Sequence, residues 1–222
     1  IQNTDPKGKN TVFDYDPLGN LEKVTDHLGG VTSYSYIKGR NAKLLGTVID
    51  AKRSPSGPGT TFGYDTRGRL ISVTNALGQA KTFGYDENDN LIWSKDANQR
   101  TTTFEYDKLN RLETVKDNDG AVTCRTTYDA VGNLRTKLYA NSTLAEYQYD
   151  NLYRVTSITN KRLNGEVISR FDYQYDAVGN RLRQIETNGG QTNVTVYTYD
   201  LTYRLTLESD NKRTVEYFFD AV

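Results

Sequence analysis

The chain has no methionine, one cysteine, one histidine, one tryptophan and only four prolines in 222 residues. A single cysteine, Cys124, excludes an internal disulfide and any cysteine-built metal site. A single histidine, His27, leaves a Ser-His-Asp triad one place to form. Its neighbour Asp26 is adjacent in sequence and poorly placed to orient the ring. The scarcity of proline and the lack of a long Gly/Ser run argue against a disordered chain. Charge of one sign is missing too: 28 basic and 28 acidic residues cancel. A nucleic-acid partner held by a basic face is therefore not expected. No apolar run approaches the ~20 residues that cross a bilayer, so this segment is not expected to insert in a membrane. A chain that starts at Ile1 and has no methionine is expected to be a section of a longer protein.

Tyrosine, by contrast, is plentiful. Seventeen Tyr and seven Phe stand in a chain that is 36% hydrophobic, with a mean hydropathy of −0.73. Such a composition does not suit a thick aliphatic core. It suits many short strands carrying rings with an apolar body and a polar tip.

The tyrosines are also periodic. Tyr-Asp pairs stand at Tyr15-Asp16, Tyr64-Asp65, Tyr85-Asp86, Tyr106-Asp107, Tyr128-Asp129, Tyr149-Asp150, Tyr175-Asp176 and Tyr199-Asp200. From Tyr64 the intervals are 21, 21, 22, 21, 26 and 24 residues. Tyr36 belongs to the series although Ile37 follows it, and Phe219-Asp220 extends it. The chain 1–222 therefore reads as a single array of about ten units, and a fixed period of this size describes architecture. In "YDTRGRLISVTNALGQAKTFGYD", Asp65 and Gly68 bracket a tight turn, as do Asp16 and Gly19, Asp129 and Gly132, and Asp176 and Gly179. The carboxylate accepts a backbone N–H two residues on, and glycine tolerates positive φ. A strand follows, then a second turn at Asn75 to Gly78, then a return strand whose aromatic-x-Tyr pair shares one face. Each unit is a β-hairpin.

Two irregularities stand out. Leu21/Val24, Leu70/Val73, Leu112/Val115, Val155/Ile158 and Leu182/Ile185 are three apart, where a regular strand shows a spacing of two. Either a bulge follows the Asp-Gly turn or both strand faces are partly covered. The period is also broken over 37–60, read as a lengthened hairpin loop within the array. Asn164-Gly165 and Gly189-Gly190 read as further lengthened tips.

The recurring Y-D-x-x-G-[RN]-L, as in "YDPLGNL", "YDTRGRL", "YDAVGNL" and "YDAVGNRL", resembles the YD repeat of the Rhs family across residues 10–220. Three copies replace the glycine by Asp89, Asn110 and Tyr153. The resemblance implies an all-β fold: tandem hairpins in a curved strand spiral, forming an open section of a hollow shell. It implies a structural wall segment rather than an enzyme, part of a larger secreted or cell-surface protein. In polymorphic toxins and insecticidal toxin complexes the shell encloses a C-terminal toxin domain. In teneurins a related shell is part of an adhesion ectodomain. The implied partners are the remaining repeats of the parent chain and an enclosed toxin domain, or a glycan or surface protein in an adhesion role. Toxin-type members carry a self-cleaving aspartyl protease segment with a D-P-x-G-L-like signature. Here Asp16-Pro17-x-Gly19 is followed by Asn20 and stays in repeat register, so it reads as a turn.

No catalytic, cofactor-binding or metal-binding residue is assigned. The repeat positions named above are expected to be structural, since a repeated residue argues for a repeated job. His27 reads as a solvated turn residue and Cys124 as a small strand residue. Asp117 to Gly120 reads as a hairpin turn, because the full calcium-loop frame and its bidentate Glu are missing. Trp93 is the best candidate for an exposed aromatic contact. Asn141-Ser142-Thr143 and Asn193-Val194-Thr195 match the N-glycosylation pattern.

Overall fold

The computed structural model describes residues 1–39, 43–50 and 58–220. The described residues form twenty β-strands and no helix. In the first half these are β1 Gln2–Thr4, β2 Asn10–Tyr15, β3 Leu21–Thr25, β4 Val31–Tyr36, β5 Leu45–Ile49, β6 Thr60–Tyr64, β7 Leu70–Thr74, β8 Ala80–Tyr85, β9 Leu91–Lys95 and β10 Thr101–Tyr106. The second half contains β11 Leu112–Lys116, β12 Val122–Tyr128, β13 Leu134–Tyr139, β14 Thr143–Tyr149, β15 Val155–Arg162, β16 Val167–Tyr175, β17 Arg181–Asn188, β18 Gln191–Tyr199, β19 Leu205–Ser209 and β20 Thr214–Glu216. The chain divides into two compact units, Ile1–Phe104 and Glu105–Val222. Within the first, every strand pairs antiparallel with the next, from β1–β2 to β9–β10. The second repeats the pattern from β11–β12 to β19–β20.

The YD turns share one construction. In the first, the Asp16 carbonyl accepts the Gly19 N–H at 3.0 Å, and the Asp16 N–H donates to the Asn20 carbonyl at 2.8 Å. Carboxylate Oδ1 of Asp16 accepts the N–H groups of Leu18 and Asn20 at 2.9 and 2.8 Å. A type I turn closed by one left-handed residue joins strands in this way. The left-handed place is third after the aspartate: Gly19, Gly68, Gly132 and Gly179, and also Asp89, Asn110, Tyr153 and Tyr203. The opposite hairpin ends use the same Asx geometry, as at Asp26, Asn75, Asp96 and Asp117.

The YD ends carry a bulge, and two of the opposite ends do as well, at Thr123 and Ile168. Tyr64 pairs with Leu70 but Gly63 with Ser72, so Ile71 is the extra residue. The same shift leaves out Glu22, Ile92, Arg135 and Thr156. Because of it, Phe62 and Tyr64 face Val73 and Leu70, and residues three apart come to one side of the sheet. The bulge accounts for the spacing, and β5, β9 and β19 are in addition half-buried at every position. One pair was misaligned. In "YDAVGNRL" the partner of Tyr175 is Arg181, and Leu182 is the bulged residue, 40% exposed.

Residues 37–60, expected as a lengthened loop, contain a strand. β5 pairs with β4 and β6, and Tyr36 faces Leu45 across the usual bulge at Gly46. A YD-type hairpin therefore persists where the Asp is missing: the Ile37 N–H bonds the Leu44 carbonyl at 2.9 Å. Positions 40–42 and 51–57, including most of "SPSGPG", lie outside the described residues. The long intervals after Tyr149 and Tyr175 also differ from expectation. Their extra residues lengthen the strands β15 to β18 to 8 or 9 residues. The tip at Gly189-Gly190 is a two-residue turn with both φ positive, the tightest hairpin connection.

No large side chain among the described residues is fully buried. The buried positions are small: Thr114, Thr126, Ala145, Ser157, Ser169 and Thr195. Ala145, Ser169 and Thr195 precede the aromatics of their return strands by two residues, on the same face. Half-buried rings thus lie over a floor of small side chains, and burial is spread along the strands.

Candidate functional site

The candidate site is the seam between successive hairpins, where the tyrosine, the aspartate and the residue four after it meet. Each seam tyrosine ends its return strand, which carries the phenol back to the hairpin before. Tyr36 donates its hydroxyl to the Leu21 carbonyl at 3.0 Å, Tyr64 to Leu45 at 3.0 Å and Tyr85 to Leu70 at 2.9 Å. Tyr128 bonds Leu112 at 2.8 Å, Tyr149 bonds Leu134 at 2.9 Å, Tyr175 bonds Val155 at 2.8 Å and Tyr199 bonds Arg181 at 2.9 Å. The acceptor is always the first residue of the preceding hairpin. Leu21 lies outside the β3–β4 ladder, whose last pair is Lys23 with Ser33, so the phenol takes the place of a ladder donor. Tyr15, near the start of the series, is 47% exposed, and Tyr106 ends β10.

Carboxylate Oδ2 of each turn aspartate bonds the residue four on. Where that residue is Asn, as at Asn20, Asn90, Asn133 and Asn180, the bond stays inside the turn at 2.8 to 2.9 Å. Where it is Arg, the side chain reaches further. Arg69 bonds Asp65 at 2.7 Å, stacks over Tyr85 with its Cζ 4.9 Å from the ring centre, and donates to the Asp86 carbonyl at 2.8 Å. Arg154 repeats this with Asp150, Tyr175 and the Asp176 carbonyl. Arg111 pairs with Asp107 and lies over Tyr128, and Arg204 pairs with Asp200 and lies over Phe219. These arginines clamp one turn to the next through an ion pair and a cation–π contact.

Hydrogen bonds set the charge state of the seam. The Asn20 side chain holds the Asp16 carboxyl below its ordinary range, the Arg69 backbone N–H does so at Asp65, and the Arg111 guanidinium at Asp107. At Asp129, Asp150 and Asp176 burial is the largest single influence and pushes the carboxyl up. The hydrogen bonds from Asn133, Arg154 and Asn180 together outweigh it. Burial raises the phenols of Tyr149 and Tyr199. The seam is thus a set of ionised acceptors and protonated phenols engaged in joining hairpins, with no nucleophile–base pair among them.

Other sequence candidates fall apart from the seam. His27 is exposed in the tip closed by Asp26, and Cys124 is half-buried on β12. Asp117 accepts the N–H groups of Asp119 and Ala121 as an ordinary tip. Among the described residues no group of three or more His, Cys, Asp or Glu is arranged to hold a metal. Trp93 corrects the expectation of an exposed ring: it is half-buried across from Gly84, where an added Cβ would lie 2.0 Å from the indole Nε1. Asn141 Oδ1 accepts both the N–H and hydroxyl of Thr143, while the side-chain oxygen of Asn193 is buried on β18. The sequence reading missed the role of the residue four after each aspartate. From Arg69 on it alternates strictly: Arg69, Asn90, Arg111, Asn133, Arg154, Asn180, Arg204.

Comparison with known proteins agrees with this geometry. The family model described as teneurin YD-shell matches residues 45–161. No curated protein matches the chain. Among solved structures, TcdB2-TccC3 without its hypervariable C-terminal region superposes with a TM-score of 0.65 at 16% identity. The TcdB2-TccC3-Cdc42 structure gives 0.62 at 16% identity, and the Photorhabdus luminescens Tc holotoxin pore gives 0.59 at 16%. Each likeness covers 94% of this chain and 13% of the other, so the chain spans about an eighth of those proteins.

Proposed function

The chain belongs to the teneurin YD-shell family, a family of structural repeats, and from that premise we propose that it is a wall segment enclosing a polypeptide cargo. The wall is part of a larger secreted or cell-surface protein, and its partners are the parent's other repeats and the enclosed domain. The segment itself performs no catalysis. One observation carries this reading: seven tyrosines each bond the hairpin before their own through the phenol, and from Asp65 on every second YD turn adds an arginine clamp. A barrier has to resist opening between its strands, and cross-links repeated at each step supply that resistance.

The test is limited proteolysis of the full-length parent, following its C-terminal region with and without mild denaturant. Resistance that persists until the repeats open is the expected result. Immediate cleavage of that region while the repeats stay intact would overturn encapsulation. The segment would then be read as a surface module that recognises a glycan or a protein.

A further inference from the structure

The alternation of Arg and Asn has a spatial consequence. Where the fourth residue is Arg, its guanidinium fills the space between its own turn and the next. Where it is Asn, the side chain stops at its own aspartate, and at two of these turns an open space is found. Between the turn of Asp129 and the turn of Asp150 lies a cleft of about 610 Å³, lined by Asp129, Asn133, Tyr147, Tyr149, Asp150 and Tyr153 together with flanking residues. The same cleft recurs at another Asn turn, that of Asn20. There about 390 Å³ is lined by Asp16, Glu22, Tyr34 and Tyr36, the equivalent positions five repeats earlier, with neighbours.

The molecule shows what chemistry fits such a space. One turn further on, the Arg154 guanidinium lies 4.9 Å from the centre of Tyr175 and donates to the Asp176 carbonyl at 2.7 Å. One turn earlier, Arg111 lies 4.4 Å from the centre of Tyr128. The matching groups in the cleft are the Tyr149 ring and the Asp150 carbonyl, and among the described residues no arginine stands over Tyr149. Tyr149 is fixed in place by its bond to Leu134, so its face is held ready. The carboxylates of Asp65, Asp107, Asp150 and Asp200 each have an ion-pair partner, but Asp129 has none among the described residues. Arg135 also lines the cleft, and it is solvent-exposed and so screened. Tyr153 presents a 62% exposed ring from a backbone with φ of 61°, a conformation unfavourable for its residue type.

We infer that the cleft between the Asp129 and Asp150 turns binds a guanidinium group, that of an arginine side chain on another polypeptide. The guest takes the position that Arg111 and Arg154 occupy in the neighbouring seams. The inference stands on this local geometry and is independent of whether the repeats enclose a cargo.

The experiment is an amide-resolved NMR titration of the chain with N-acetyl-arginine amide, beside the uncharged isostere N-acetyl-citrulline amide. The arginine probe is expected to shift resonances of residues 129–135 and 147–154 while the citrulline probe leaves them unmoved. Asn133→Arg, which supplies an internal guanidinium, is expected to weaken the probe's binding at least tenfold, to within about the detection limit. No localised shift with the arginine probe, or equal shifts with both probes, overturns the inference. So does a folded Asn133→Arg variant that binds as the parent does. If that variant does not fold, the two-probe comparison on the unaltered chain decides alone.

Discussion

Tyr153 and Tyr203 stand where other YD turns have glycine, at φ of 61° and 64°. The left-handed region brings Cβ of an L-residue against the carbonyl oxygen, at roughly 1–2 kcal/mol. Asp89 and Asn110 tolerate it through short polar side chains, whereas a tyrosine gains nothing locally. Tyr203→Gly is therefore expected to raise stability by about 1 kcal/mol, seen as a higher urea midpoint with an unchanged slope. An unchanged or lower midpoint would mean that the ring makes a compensating contact. The opposite case is Gly84, which sits under the Trp93 indole. Gly84→Ala is expected to destabilise by about 1–3 kcal/mol through overpacking, and Trp93→Ala in the same chain should relieve most of that loss. Additive losses in the double variant would show that the clash is not the cause. Turn residues were legible from sequence because their chemistry is local. Trp93 was misjudged because its exposure depends on what stands across the strand.

The hairpin turn is stabilised by an ionised acceptor. The Asp16, Asp65 and Asp107 carboxyls are depressed by hydrogen bonds formed only in the folded turn. A depressed folded value means that the unfolded chain binds more protons as pH falls, so this stability is present above the unfolded carboxylate range and lost below it. Denaturant midpoints are expected to hold from neutral pH to about pH 4, near the ordinary aspartate value, and then to fall steeply as the turns protonate. A decline beginning well above pH 5 would place the weakness elsewhere. The bulge is also an element-scale feature. The three-residue spacing announced an irregularity, and only strand pairing shows that at the paired YD ends the extra residue is the one after the leucine position. The same pairing moves Arg181 into that position, where the three-residue spacing points to Leu182.

At the scale of the whole chain, the first and last described elements are strands. Among the described residues β1 pairs with β2 alone and β20 with β19 alone, and both terminal strands are three residues long. Unpaired N–H and C=O groups template further pairing, and short strands limit it. Weak, concentration-dependent self-association of the isolated chain is expected in sedimentation velocity. A single monomeric boundary at every concentration would count against it. The YD period, the hairpin and the all-β class were determined by the sequence alone, because alternation, Asx turns and left-handed positions act over a few neighbouring residues. Even the Arg/Asn alternation is written in the sequence, although nothing local gives it meaning. The tertiary structure alone decided that β5 runs through 37–60 and that the phenols bridge to the preceding hairpin. It also decided that Arg69 and Arg154 bridge to the next turn, while a cleft stays open beside Asn133. These features join residues some 9 to 22 positions apart, and strand pairing, not local chemistry, brings them within reach.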